Sequence, residues 1–155
     1  MEQDLTILYQ TKTANVNDIC LHLNACDDSF VPALSSRINI TEYAQKIFDK
    51  AITFEAWNKS ELVGLIATYF SQPETGIAFI TNVSVCQNNK GKGIASQLLS
   101  NCIDYAIKTN YKEIKLEVNS ENTPAITFYK KHHFIYTETK EDSIFLTYQL
   151  INKIN

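Results

Sequence analysis

The stretch Val83–Leu99, V-S-V-C-Q-N-N-K-G-K-G-I-A-S-Q-L-L, limits the fold more than any other part of the chain. A β-branched run ends at Val85, a polar loop follows, and Lys90-Gly91-Lys92-Gly93 opens an amphipathic helix. The chain has only four glycines, and two of them stand in this loop. A strand that feeds a helix through glycines leaves the first N–H groups of that helix exposed at the positive end of its dipole, a ready anion site. Lys90 and Lys92 add charge of the matching sign. The expected ligand is a phosphate-bearing cofactor held mostly by backbone.

Around this loop the periodicity lays out one α+β domain over residues 1–155. Leu5–Thr11 reads as a first strand, and Asn15 caps a helix to about Ala25 with Val16, Ile19, Cys20 and Leu23 as its apolar stripe. Asp27–Arg37 reads as a loop. Thr41 begins a second helix with Tyr43, Ala44, Ile47 and Phe48 along one face. Ile52–Trp57 and Leu62–Phe70 form a hairpin about Asn58–Glu61, and Ile77–Val85 returns as the third strand of a meander. Gly93–Asn110 is a helix, Lys112–Val118 a strand, and Thr123–His132 a short helix with Pro124 in its first turn. Phe134–Thr139 and Ile144–Ile151 close the chain as a hairpin around Lys140–Ser143.

Charge removes several function classes. A net charge of −3 and a pI of about 5.6 give no electrostatic case for binding nucleic acid or an anionic membrane surface. The longest apolar run, Leu62–Phe70, falls short of the ~18 residues needed to span a bilayer and contains Gly64 and Thr68. The N-terminal Met-Glu-Gln-Asp lacks the basic start and apolar core of a signal peptide, which points to the cytoplasm. Cys20, Cys26, Cys86 and Cys102 show no C-x-x-C spacing. Cys20 and Cys102 fall on apolar helix faces and read as small core residues, whereas Cys26 and Cys86 lie near element ends, where partial exposure is expected. With His22, His132 and His133 they make no recognisable ligand set, so no metal is expected.

Three phosphate-loop types compete for Lys90–Ser96. A Walker loop requires G-x-x-x-x-G-K-[ST], which no window satisfies. A dinucleotide fingerprint is met at two of three glycines by Gly91-x-Gly93-x-x-Ser96, with Glu117 near the acidic position, but the meander upstream leaves no room for a doubly wound sheet. The third is a family likeness. Lys90-Gly91-Lys92-Gly93-Ile94-Ala95 resembles the Q/R-x-x-G-x-G/A signature of the GNAT superfamily of acetyl-CoA-dependent N-acetyltransferases. Leu116-Glu117-Val118 followed by Asn122, Ala125, Phe128, Tyr129 and Phe134 is similar to that family's L-x-V…N-x-x-A-x-x-x-Y…G-F segment. Lys90 replaces the usual Gln or Arg, and His133 stands where glycine precedes the Phe, so a different helix-ending turn is expected there.

The resemblance implies a mixed, mostly antiparallel central sheet of about seven strands with about four helices, strands 4 and 5 splayed apart. It implies that the amides of Lys90, Gly91, Lys92, Gly93, Ile94 and Ala95 hold the pyrophosphate of acetyl-CoA, with the Ser96 hydroxyl as a further donor. Backbone groups of Val83 and Val85 would pair the pantetheine arm, and Asn122 would contact it; as a plain residue, Asn122 is a helix cap before Pro124. Tyr129 is the implied catalytic residue. Attack of an amine on a thioester passes through an oxyanion and expels a thiolate, which a nearby phenol protonates as it leaves. A backbone N–H of Val83–Val85 would steady the oxyanion. The plainer reading of Tyr129 is a core aromatic beside Phe128.

The general base and the acceptor stay open. Many members of the family carry a Glu on the fourth strand, but Ile77–Val85 holds no carboxylate. Glu117 and Glu55 are candidates that read more readily as ordinary surface charges, and Asn82 with Ser84 could order a water chain. The resemblance places the acceptor near Asp27–Pro32, Ser35–Arg37 and the Lys140–Ser143 turn. There Asp27 and Asp28 suit a cationic amine and Arg37 a carboxylate or phosphate. The F-V-P-x-L-S loop resembles acetyltransferases of amino-sugar nucleotides, while peptide amines, polyamines and aminoglycoside-like compounds stay open. The partner expected is a small-molecule or peptide amine, and a homodimer is left open. The competing function is an acyl-CoA-binding sensor or interaction module without catalysis.

Overall fold

The computed structural model describes residues 6–150. In chain order it contains β1 (Leu8–Thr11), α1 (Val16–Ala25), α2 (Ile40–Lys50), β2 (Ile52–Asn58), β3 (Glu61–Tyr69) and β4 (Ile77–Val85). There follow α3 (Ile94–Lys108), β5 (Glu113–Asn119), α4 (Thr123–Lys131), β6 (Ile135–Lys140) and β7 (Ser143–Gln149). Short 3-10 turns cover Asp27–Ser29, Leu34–Ser36 and Gln87–Asn89. Leu5 and Ile151, which the sequence assigned to the terminal strands, lie outside the described residues. Within them β1 starts at Leu8 and β7 starts one residue early, at Ser143. The second helix starts at Ile40, not Thr41, because the Asn39 carboxamide accepts the Glu42 N–H at 2.9 Å and caps it.

All seven strands form one sheet in the order β1-β2-β3-β4-β5-β7-β6. Every pairing is antiparallel except β4 with β5. That parallel pair holds only from Ile77–Phe79 against Glu113–Lys115, and beyond it the two strands part. On one face α3 buries Ile94, Leu98, Leu99, Cys102 and Ala106 against Phe54, Ile66, Ala78 and Ile80. On the other, α1 and α2 bury Ile19, Leu23, Ala44 and Ile47 against Leu65 and Ala67. A central strand covered on both faces reads as continuous apolar sequence, which is why Leu62–Thr68 is buried without interruption. Phe48, expected on the buried face of α2, is 39% exposed instead, and the Lys12 ammonium sits 5.6 Å from its ring centre.

Gly64 on β3 sets where α3 begins. A Cβ built there would lie 2.9 Å from Ile94 Cγ2 and 3.2 Å from both Ala56 Cβ and Leu98 Cδ1. The missing side chain is therefore what lets the first turn of α3 seat directly on the sheet.

The end of α4 departs from expectation. The turn keeps the glycine-type geometry although His133 occupies it, at φ 74°. Phe134 N–H reaches back to Tyr129 O at 3.0 Å and His133 N–H to Lys130 O at 3.0 Å, satisfying the last helical carbonyls. A left-handed L-residue costs about 1–2 kcal/mol, part of which a glycine returns as unfolded-chain entropy. His133→Gly is therefore expected to stabilise the fold by about 0.5–1 kcal/mol, a rise of roughly 2–4 °C in Tm by calorimetry. An unchanged or lower Tm would contradict the strain.

Candidate active site

Three elements meet at the parting of β4 and β5. The first is the free edge of β4. Cys86 N–H donates to Val63 O at 2.8 Å, so strand alternation turns the N–H and C=O of Val85 and Val83 away from β3, towards the opening. A bulge opposite Ala67/Thr68, with Thr81 as the extra residue, precedes this segment and re-aims it.

The second element is the glycine loop. Gly91 and Gly93 sit at φ 80° and 78°, and a Cβ at either would meet no heavy atom within 4 Å. Glycine is thus required by backbone conformation, and the space above the loop is open. Gly93 is the N-cap of α3 and offers no side-chain cap, while Gln97 N–H to Gly93 O, at 3.1 Å, is the bond that opens the helical ladder. The N–H groups of Ile94, Ala95 and Ser96 consequently have no helical partner. Lys90 and Lys92 are exposed beside them. The Ser96 hydroxyl lies 3.0 Å from His132 Nε2, so it links α3 to α4. Burial, reinforced by the charges of Lys131 and His133, lowers the His132 pKa.

The third element is α4. Asn122 caps it, accepting the Ala125 N–H at 3.3 Å, and Pro124 follows in the first turn. Tyr129 is buried between Phe128 and Phe134, at ring-centre distances of 5.4 and 5.6 Å. Burial alone pushes its phenol well above the ordinary range, so the group holds its proton at any working pH.

On the opposite face lies a polar set that the sequence reading only partly found. Tyr43 donates to Thr81 O at 2.7 Å and lies 2.7 Å from the Thr81 hydroxyl, holding the bulge from α2. The Tyr69 hydroxyl is buried with no hydrogen-bond partner among the described residues. His22, omitted from the α1 stripe, is buried; its Nδ1 is 3.0 Å from Leu62 O and its Nε2 2.9 Å from Ser84 Oγ. A carbonyl only accepts, so Nδ1 carries the proton and Nε2 accepts from Ser84. Ser84 Oγ lies 2.8 Å from the Asn82 carboxamide.

This buried imidazole makes stability depend on pH. Desolvation, opposed by the bonds from Leu62 and Ser84, lowers its pKa to about 4. The unfolded chain, with an ordinary value near 6.5, therefore binds the proton first as pH falls. The contribution is complete above about pH 6.5 and is lost by pH 4, amounting to roughly 3 kcal/mol. Urea denaturation across that window should show the loss, and His22→Gln should flatten it. An equal slope in the variant would assign the effect elsewhere.

The expected carboxylates behave differently from each other. Glu55 is not a surface charge: it is wholly buried and accepts from Thr13, Ala14, Thr53 and Trp57. Its oxygens are spent on structure and it is no free base. Glu117 is exposed and accepts the Ser143 hydroxyl at 2.5 Å. Asp27 likewise works within its own loop, taking the Ser35 N–H at 2.7 Å and hydroxyl at 2.6 Å, contacts that lower its pKa. Asp28 and Arg37 are exposed and Phe30 is half-buried against the α1–α2 cluster. Cys26 is buried and Cys20 half-buried, the reverse of their expected exposures. The structure also brings His22, Cys26 and Cys86 together, all donor atoms lying within 4.8 Å of one another. Only the i, i+4 spacing of His22 and Cys26 could have hinted at it.

Among the described residues no helix is long and apolar enough to cross a membrane. Residues 20–134 match the family described as Acetyltransferase (GNAT) family. Over 60 residues the chain is 35% identical to streptothricin acetyltransferase A of Bacillus subtilis strain 168, a match spanning 39% of this chain and 35% of that relative. The PaiA N-acetyltransferase of Thermoplasma acidophilum, solved in complex with coenzyme A, superposes with a TM-score of 0.76 at 15% identity, covering 94% of this chain and 99% of that one. The ribosomal-protein-S18-alanine N-acetyltransferase of Escherichia coli gives 0.70 at 17% identity, over 94% and 96% of the two chains.

Proposed function

The chain belongs to the acetyltransferase (GNAT) family, and from that premise we propose that it moves an acetyl group from acetyl-CoA to a primary amine. One observation carries the reading: the inward-facing edge of β4 and the uncapped first turn of α3 open at the same end of the sheet. Acetyl-CoA brings an activated thioester, an amide-bearing arm and an anionic pyrophosphate. The amides of Lys90–Ala95, with Ser96, Lys90 and Lys92 beside them, suit the pyrophosphate. The N–H and C=O groups of Val83 and Val85 that face the opening suit the amides of the arm, as a further strand would. Asn122 spends its oxygen on the helix cap and keeps its NH2 for the arm. Tyr129, held protonated by burial, gives its proton to the departing thiolate.

The acceptor is proposed to be a small molecule. The 35% identical segment belongs to an enzyme named for streptothricin, whereas the likeness to the S18-alanine enzyme is one of fold. An amino sugar and a peptide amine are the other candidates. Incubation with acetyl-CoA and a panel of amines (a streptothricin-type antibiotic, a polyamine, an amino sugar, a peptide N-terminus) tests this by thiol release and product mass. Release with a member of the panel supports the reading. Calorimetric binding of acetyl-CoA without release on any amine would favour a sensor module, towards which the absence of a β4 carboxylate leans.

A further inference from the structure

Cys26 and Cys86 are not used by the proposed chemistry. Cys26 is the C-cap of α1 and is 1% exposed; Cys86 follows β4 and is half-buried. Their sulfurs and one His22 ring nitrogen lie within 4.8 Å of one another. Such a set invites a metal, but the geometry opposes one. The Cys26 sulfur is 3.7 Å from Nε2 and 4.0 Å from Nδ1, nearly equidistant. A sulfur sharing a metal with one nitrogen lies near that nitrogen's lone-pair axis and far from the other, so Cys26 rests against the flank of the ring. Both ring nitrogens are already engaged, by Leu62 O and Ser84. What remains is a pair of thiols with a neutral imidazole against them.

We propose that Cys26 and Cys86 form a redox-active thiol pair that closes to an intramolecular disulfide. Cys86 reacts first, because it alone of the two reaches solvent. Burial holds the Cys86 thiol above its ordinary range, against a smaller lowering by Cys26, so its attack quickens as pH rises. The oxidant is a small-molecule disulfide. The Cys86 thiolate attacks one of its sulfurs, forming a mixed disulfide and expelling one thiolate. Cys26 then loses its proton and attacks the Cys86 sulfur, and the second small thiol leaves with that proton. Two protein thiols are oxidised and one disulfide is reduced to two thiols. The new bond ties the end of α1, where the Asp27–Arg37 loop departs, to the residue from which the glycine loop departs. Its effect on turnover rests on the acetyl-transfer reading above; the cross-link itself does not.

The full chain, treated with excess glutathione disulfide and digested without reductant, is expected to yield a Cys26–Cys86 linked peptide pair that dithiothreitol dissolves. Cys86→Ser should abolish the pair. Cys26→Ala should stop the reaction at a glutathione adduct on Cys86. Single adducts without a linked pair in the wild-type chain, or reaction of Cys26 ahead of Cys86, would overturn the proposal. So would stoichiometric zinc binding that protects both thiols from labelling. Acetyl-CoA binding measured on the same reduced sample reports separately on the acetyl-transfer reading.

Discussion

Tyr129→Phe lowers turnover at least about tenfold while acetyl-CoA affinity stays within about twofold. The substitution keeps the ring that packs against Phe128 and Phe134 and removes only the hydroxyl. Burial holds that hydroxyl protonated, so it has a proton to give when a thiolate leaves. Positioned proton donors are worth about 10²–10⁴ in rate, and a thiolate, with a parent pKa near 8.5, is an undemanding leaving group, which sets the expectation at the low end. Steady-state kinetics with both substrates make the check. A fall in kcat without a rise in KM for acetyl-CoA assigns Tyr129 to the reacting atoms. Unchanged turnover would return it to the core.

Glu55→Ala is expected to cost about 3–5 kcal/mol, the scale for breaking a buried, fully partnered charge. The carboxylate takes the Thr13 N–H at 3.0 Å, the Ala14 N–H at 3.0 Å, the Thr53 hydroxyl at 2.6 Å and the Trp57 indole N–H at 3.1 Å. The Thr13 hydroxyl adds a fifth donor at 2.5 Å. Alanine would leave all of them facing a void, each at a desolvation penalty of ~1–3 kcal/mol if water cannot enter. These bonds pin the β1–α1 connection onto β2, and with it the start of α1. Chemical denaturation should show a lower midpoint at constant m-value. A loss under about 1 kcal/mol would mean the connection holds without its carboxylate.

Much of this architecture is legible in the sequence because its punctuation is sparse. With four glycines in the chain, each marks a backbone demand: two make the loop before α3, Gly76 turns at φ 72°, and Gly64 admits Ile94. Element order follows from periodicity, and the end of α4 is marked at His133. The partners of buried polar side chains are not legible. Glu55 reads as a surface charge because strand alternation is blind to five donors arriving from neighbouring elements. His22 drops out of the α1 stripe because its partners, Leu62 O and Ser84, come from β3 and β4. Cys26 and Cys86 meet only because α1 and the end of β4 share one face. The parting of β4 and β5 came from family resemblance alone, since a strand's own pattern does not record where its neighbour leaves it.

That parting also changes how the sheet meets other chains. A row of unpaired backbone groups invites strand addition, and proteins blunt such rows at the rim. Here β1 offers only four residues, and β6 carries a bulge together with Glu138 and Lys140. The Val83–Val85 row has no such defence, yet it lies between two helical layers instead of at the rim. A slot of this kind excludes a folded neighbour and favours a thin, unbranched chain that carries its own amides. The molecule thus hides its stickiest backbone where aggregation cannot use it and a slender ligand can.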